Sequence, residues 1–207
     1  MLNIFHVTNT RAFRVIWLCE ELALPYQLTP VDFSAAYRES TEWRALNPVG
    51  KVPVMIDGDV TMFESGAMVQ YLLDRYGKGA LQPQSGTPEH ALYLQWSWFA
   101  EATYSRPIGE VVNHRRTFGD AAKPDIVKEM AGRAALASQA VSDAVADQTF
   151  LLGNKFTAAD IMMGYTVMLA AEVLKQTLPV PLARYWTSLK SRAAFVAAKA
   201  AERKMPL

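Results

Sequence analysis

The chain has 207 residues, enough for one large domain or two small ones, and either can bury a substantial core. Lysine and arginine total 21 against 20 for aspartate and glutamate, so the formal charge of +1 points to no nucleic-acid partner and no anionic membrane surface. The one cysteine, Cys19, excludes an internal disulfide and a cysteine-based zinc cluster, and His6, His90 and His114 lack metal-ligand spacing, so no metal is expected.

In chain order, LNIFHV (residues 2–7) reads as a strand, with no basic segment or cleavable apolar stretch before it, and a cytoplasmic protein is expected. VTNTRAFR (7–14) then places polar groups between that strand and a helix, which Thr10 or Asn9 can cap. AFRVIWLCEELAL sets Phe13, Ile16, Trp17 and Leu22 at helical spacing, and YQLTPVDF returns to a strand, completing a β-α-β unit. SAAYRESTEWRALNP predicts a helix from Ser34 that stops at Pro48. KVPVMI and VTMF flank DGD, a hairpin turn signal, and ESGAMVQYLLDRYG carries a Met68, Leu72 and Tyr76 stripe ending at Gly77.

The order over residues 1–77 is therefore β-α-β-α-β-β-α, an α/β domain. Residues 78–88 have the glycine, proline, serine and glutamine content of a linker, and 89–207 read as an all-α domain. Within it, IMMGYTVMLAAEVL (161–174) is too short to span a bilayer and is expected to be a buried helix. FTAADI (156–161) is a complete helix start: Thr157 caps, Asp160 stands at the third helical position, and Phe156 is placed to pack on Ile161.

Three stretches can carry chemistry. Val52-Pro53 opens a strand at a turn, where a proline either marks an edge or exposes the backbone of Val52 to a bound peptide. Glu64-Ser65-Gly66 stands at a helix start, whose free N–H groups suit a carboxylate; Ser65 supplies a hydroxyl, or simply caps, and Glu64 suits an ammonium group. The third is the Thr8–Arg11 junction.

Taken together, LNIFHV…TRAFRVIWLCEELALPY, ALNPVGKVPVMIDGDVTMFESGAMVQYLLDRYG and FTAADI resemble the glutathione S-transferase family over nearly the whole chain. The resemblance implies a thioredoxin-like glutathione-binding domain followed by an all-helical domain that contributes an electrophile site. It implies that Val52, before a cis Pro53, pairs with the cysteinyl part of glutathione, that Glu64 and Ser65 hold its γ-glutamyl end, and that Lys51 meets its glycine carboxylate. In the register of theta-like, delta-like and related bacterial and fungal members, Thr10 occupies the position of the serine that donates to the glutathione sulfur, with Asn9 as the alternative. Arg11 adds charge nearby, and Cys19 does not match a reactive-cysteine position and is expected to be buried and inert.

The implied activity is stabilisation of the glutathione thiolate for attack on a small apolar electrophile, by a homodimer with glutathione as co-substrate. A glutathione-dependent isomerase or peroxidase, or a non-catalytic binding or regulatory module, are the alternatives. Tyr104, Arg106 and His114 supply aromatic and basic groups in the helical part, none assigned a catalytic role.

Overall fold

Strand β1 (Leu2–His6) alternates buried and half-exposed residues, the pattern of a strand with one face in the core. The computed structural model describes residues 1–203. After β1 come α1 (Ala12–Glu21), β2 (Tyr26–Pro30), α2 (Ala35–Glu39), α3 (Thr41–Leu46), β3 (Val54–Asp57), β4 (Val60–Phe63) and α4 (Ser65–Tyr76). The strands form one sheet in the order β2-β1-β3-β4, with β1 parallel to β2 and β3 antiparallel to both β1 and β4. The parallel step requires a crossover, which α1 provides, whereas β3 and β4 need only a tight turn.

The single helix expected over 34–48 forms as two. Ser40 is extended (φ −62°, ψ 148°), and its hydroxyl accepts from the Trp43 amide, while the Ser34 hydroxyl accepts from Tyr37. Two serines six residues apart each find a cap position, and a capped restart replaces a continuous helix. Helix α3 leads into a turn braced by the buried Asn47, whose Oδ1 accepts from the Val49 amide and whose Nδ2 donates to the Lys51 carbonyl. Gly50 completes it at φ +63°, where a Cβ would stand 2.5 Å from the Arg38 carbonyl oxygen. Gly77 ends α4 for a different reason than a left-handed cap: its φ is −70°, and a Cβ there would lie 2.5 Å from the Leu73 carbonyl oxygen.

Helix α4 is fastened to the hairpin through Asp57, which accepts from the hydroxyls of Tyr71 (2.9 Å) and Tyr76 (2.6 Å) and pairs with Arg75 at 3.3 Å. Burial pushes this carboxyl up, but the Tyr76 and Tyr71 hydrogen bonds and the Arg75 charge outweigh it and hold its pKa below the ordinary 3.8. A lowered carboxyl contributes stability that is present above the unfolded value and lost as pH falls through the folded one. Asp57→Asn is expected to be less stable than wild type at neutral pH, with the gap closing in acid as pH falls below the ordinary 3.8 and through the lowered value. Urea unfolding of both proteins across that range measures it.

The second half is helical. Helix α5 (Pro88–Trp98) runs through a π-helical segment (Phe99–Tyr104) into α6 (Ser105–Phe118), followed by α7 (Pro124–Ala144), α8 (Ala158–Met168), a second π-helical segment (Leu169–Val173), α9 (Val180–Lys190) and α10 (Ala193–Arg203). Helix α8 is buried on every side, as its continuous apolar run implies. Among the described residues no helix is long and apolar enough to cross a membrane.

The described residues pack as two compact units, the first made of Met1–Ala80 with Ser191–Arg203, the second of Leu81–Lys190. Helix α10, grouped by sequence with the helical domain 89–207, thus belongs to the first unit. It lies along α1, where the Phe195 ring meets Phe13 and Trp17 edge-on at 5.2 and 5.0 Å. Arg192 fixes its start by a two-pronged pair with Glu21 (2.6 and 2.7 Å). Each aromatic contact adds about 0.5–1.5 kcal/mol beyond the area it buries.

Candidate active site

The sheet register brings the three candidate stretches to one edge of the first unit. Val54 stands opposite Phe5 on β1 and opposite Phe63 on β4. Val52-Pro53 therefore enters β3 where β1 leaves for the Thr8–Arg11 junction and where β4 leaves for Glu64-Ser65. The Val52-Pro53 peptide is cis, and Val52 lies outside the strand ladder, which begins at Val54. Lys51 is exposed, its carbonyl tied to Asn47.

Glu64 is the residue before the first turn of α4 and holds a left-handed backbone, φ +76°. Such a conformation costs a non-glycine residue on the order of 1 kcal/mol or more. Its side chain makes no cap to the helix, and it is solvent-exposed. Ser65 is the first helical residue and does not cap either. Its buried hydroxyl instead accepts from Nη1 of Arg14 at 3.2 Å. Arg14 is itself fully buried, so a guanidinium charge sits beside the N-terminus of α4. The helix end and the cation have the same sign, and together they make this corner attractive to a carboxylate. Sequence reading missed Arg14, which lies inside an apolar helical run; the only signal was the oddity of a charge between Phe13 and Val15 in that run.

The Thr8–Arg11 junction resolves into two differently engaged groups. The Thr10 hydroxyl donates to the Val7 carbonyl at 2.6 Å and accepts from the Ala12 amide at 3.4 Å. Its one proton is committed to the backbone, and its oxygen takes one amide of the turn leading into α1, whose N-cap residue is Arg11. Asn9 is left-handed, φ +62°, a conformation that asparagine tolerates better than most residues. Its amide N–H donates to Glu202 Oε2 at 3.1 Å, and its Oδ1 accepts from Lys199 Nζ at 3.1 Å. Arg11 is half-buried beside them.

The remaining candidates have structural partners. Cys19 is fully buried, and burial together with Glu20 pushes its thiol up to about 12, so it stays protonated. In the helical unit, Tyr104 is buried with its hydroxyl on Ser138, Arg106 pairs with Glu110, and Nε2 of His114 accepts from the Lys123 amide.

Residues 2–74 match the family described as glutathione S-transferase, N-terminal domain. Glutathione S-transferase 3 of Schizosaccharomyces pombe is 26% identical over 202 residues, covering 92% of this chain and 83% of its own. A glutathione S-transferase-like protein of Aspergillus terreus, gedE, is 30% identical over 161 residues, covering 72% and 69%. A glutathione transferase of Phanerochaete chrysosporium, solved with oxidized glutathione, superposes with a TM-score of 0.86 over 98% of this chain and 96% of that one, at 24% identity.

Proposed function

The chain belongs to the glutathione S-transferase family, and on that premise we propose that it binds glutathione at the edge just described and stabilises its thiolate for attack on a small apolar electrophile. The observation that carries this reading is the convergence of Val52-Pro53, Glu64-Ser65 and the Thr8–Arg11 junction, fixed by the pairing of Val54 with Phe5 and Phe63. Val52 offers its main chain to the cysteinyl unit in strand fashion. The γ-glutamyl carboxylate takes the first turn of α4 with the Ser65 hydroxyl, and Glu64 takes the ammonium group. Lys51, exposed at the turn, meets the glycine carboxylate.

A free thiol titrates near 8.5, so only a few per cent is thiolate at pH 7. Lowering that by roughly two units requires about 2.7 kcal/mol, which a charge-assisted hydrogen bond and a helix N-terminus together supply. A theta/delta-like serine-type register assigns the donor to Thr10. The engagement of its hydroxyl with Val7 favours Asn9 instead, whose carboxamide carries two N–H donors. By family resemblance the protein is a cytoplasmic homodimer with no metal, acting without nucleic acid or membrane.

The test is affinity for glutathione and thiol-dependent turnover of an aryl halide. Ser65→Ala is expected to raise the KM for glutathione about tenfold or more while changing kcat less, because a lost bond to a charged group costs about 1.5–3 kcal/mol of binding. Glutathione binding without turnover of any electrophile would favour the regulatory-module reading, and absence of binding would sink the proposal.

A further inference from the structure

The last described turn of α10 is built onto the site junction, although 190 residues of sequence separate Asn9 from Lys199. Glu202 is buried, 1% exposed, and its two ends do different work. Its carboxylate accepts from the Asn9 amide N–H at 3.1 Å and from Lys199 Nζ at 2.7 Å, and its main-chain carbonyl accepts from the Thr8 hydroxyl at 3.0 Å. Lys199 lies with its ammonium 4.5 Å from the centre of the Phe13 ring and donates to Asn9 Oδ1.

An ammonium has only donors, so the carboxamide of Asn9 must turn its oxygen to Lys199 and direct its NH₂ away from it. The Glu202 carboxylate holds the backbone N–H of the same residue and so its left-handed conformation. Resting on the thiol-site reading given above, we propose that Lys199 and Glu202 are positioning residues for the glutathione sulfur: they fix Asn9 so that its two N–H donors, and not its oxygen, face the thiolate. The C-terminal helix is thereby part of the thiol site through Asn9, without touching the ligand.

Arg11, half-buried two residues after Asn9, adds positive charge at this junction, and His6, buried at 1% exposure, has its pKa lowered by burial against the opposing pull of Glu202. Releasing Asn9 lets its amide sample the orientation that offers oxygen to a thiolate, a repulsive contact. Misplacing one such group typically costs tenfold or more in rate.

The experiment compares wild type, Lys199→Met, Glu202→Ala and Arg192→Ala. Lys199→Met keeps an apolar stem over Phe13 and removes the ammonium; Arg192→Ala loosens the opposite end of the same helix. For each, the near-ultraviolet absorbance of thiolate is titrated against pH with glutathione bound, and kcat is separated from the KM for glutathione. Lys199→Met and Glu202→Ala are expected to lower kcat about tenfold and raise the bound-thiol pKa towards the free value, with the KM changed less than about threefold. Arg192→Ala should lose stability with no shift in the thiol titration. Wild-type titration in both position variants, with binding intact, overturns the clamp and leaves the transferase reading standing. A thiol shift as large in Arg192→Ala would also overturn it, assigning the effect to helix docking alone. A wild-type protein that binds no glutathione overturns both readings.

Discussion

Asn9→Gly and Asn9→Asp are expected to lower kcat about a hundredfold with glutathione still bound, while Thr10→Val keeps kcat within about threefold. Glycine removes the carboxamide at no cost to the left-handed backbone, and aspartate keeps its shape but sets a carboxylate where the thiolate needs a donor. Removing a single preorganised donor from a developing or bound anion typically costs about a hundredfold to a thousandfold. Thr10→Val removes a bond to the Val7 carbonyl and an acceptor for the Ala12 amide, which belong to the start of α1. Its expected cost is stability of about 1 kcal/mol, the ordinary net value of an intramolecular hydrogen bond. The measurements are steady-state kinetics with an aryl halide and thermal unfolding of the same proteins. The reverse pattern, an inactive Thr10→Val and an active Asn9→Gly, would restore the hydroxyl as the donor and require Thr10 to turn away from Val7 when glutathione binds.

The contrast between these two residues shows where sequence was sufficient. The hairpin and the α8 start are local: Asp57-Gly58-Asp59 turns the chain, and Thr157 with Asp160 forms a capping box that four residues are enough to reveal. The polar residues of the Thr8–Arg11 junction were equally visible, but which of them spends its donors on the backbone depends on the rotamer of one hydroxyl. Arg14 was hidden because helical spacing marks it for the core, where a charge is legible only once Ser65 is seen against it. Lys199 and Glu202 were hidden by distance along the chain. Their own neighbourhood, AAKAAER, reads as a solvated helix end, and nothing in it specifies that α10 returns to α1. The split of the expected 34–48 helix has the same origin: Ser34 and Ser40 each have a local signal for capping, and tertiary packing of Trp43 into a cluster with Val31 and Val54 decides that both are used.

The largest stability effect is expected at Asp160, which has no part in the chemistry. Its carboxylate is fully buried and accepts from the Thr157 amide (2.8 Å), the Leu151 amide (3.0 Å), the Tyr185 hydroxyl (2.9 Å) and the Thr157 hydroxyl (3.2 Å). Burial raises its pKa above the ordinary 3.8, and the amides of Leu151 and Thr157 and the Tyr185 hydroxyl offset only part of that rise. Four donors surround it, so the pocket is built for an acceptor at this position. Asp160→Ala leaves two amides and a tyrosine hydroxyl buried without acceptors, each worth about 1–3 kcal/mol and not additive, for an expected loss of about 3–5 kcal/mol. Asp160→Asn should fall almost as far, because its NH₂ replaces an acceptor with a donor among donors. Since α8 is buried along its length, misplacing its start disturbs the packing of α9 through Tyr185 as well as the Leu151 turn. Chemical unfolding followed by tryptophan fluorescence measures the loss. A fall of less than about 1 kcal/mol would mean that water or a shifted backbone replaces the carboxylate, and that the capping box, legible in sequence, contributes no more than an exposed cap does.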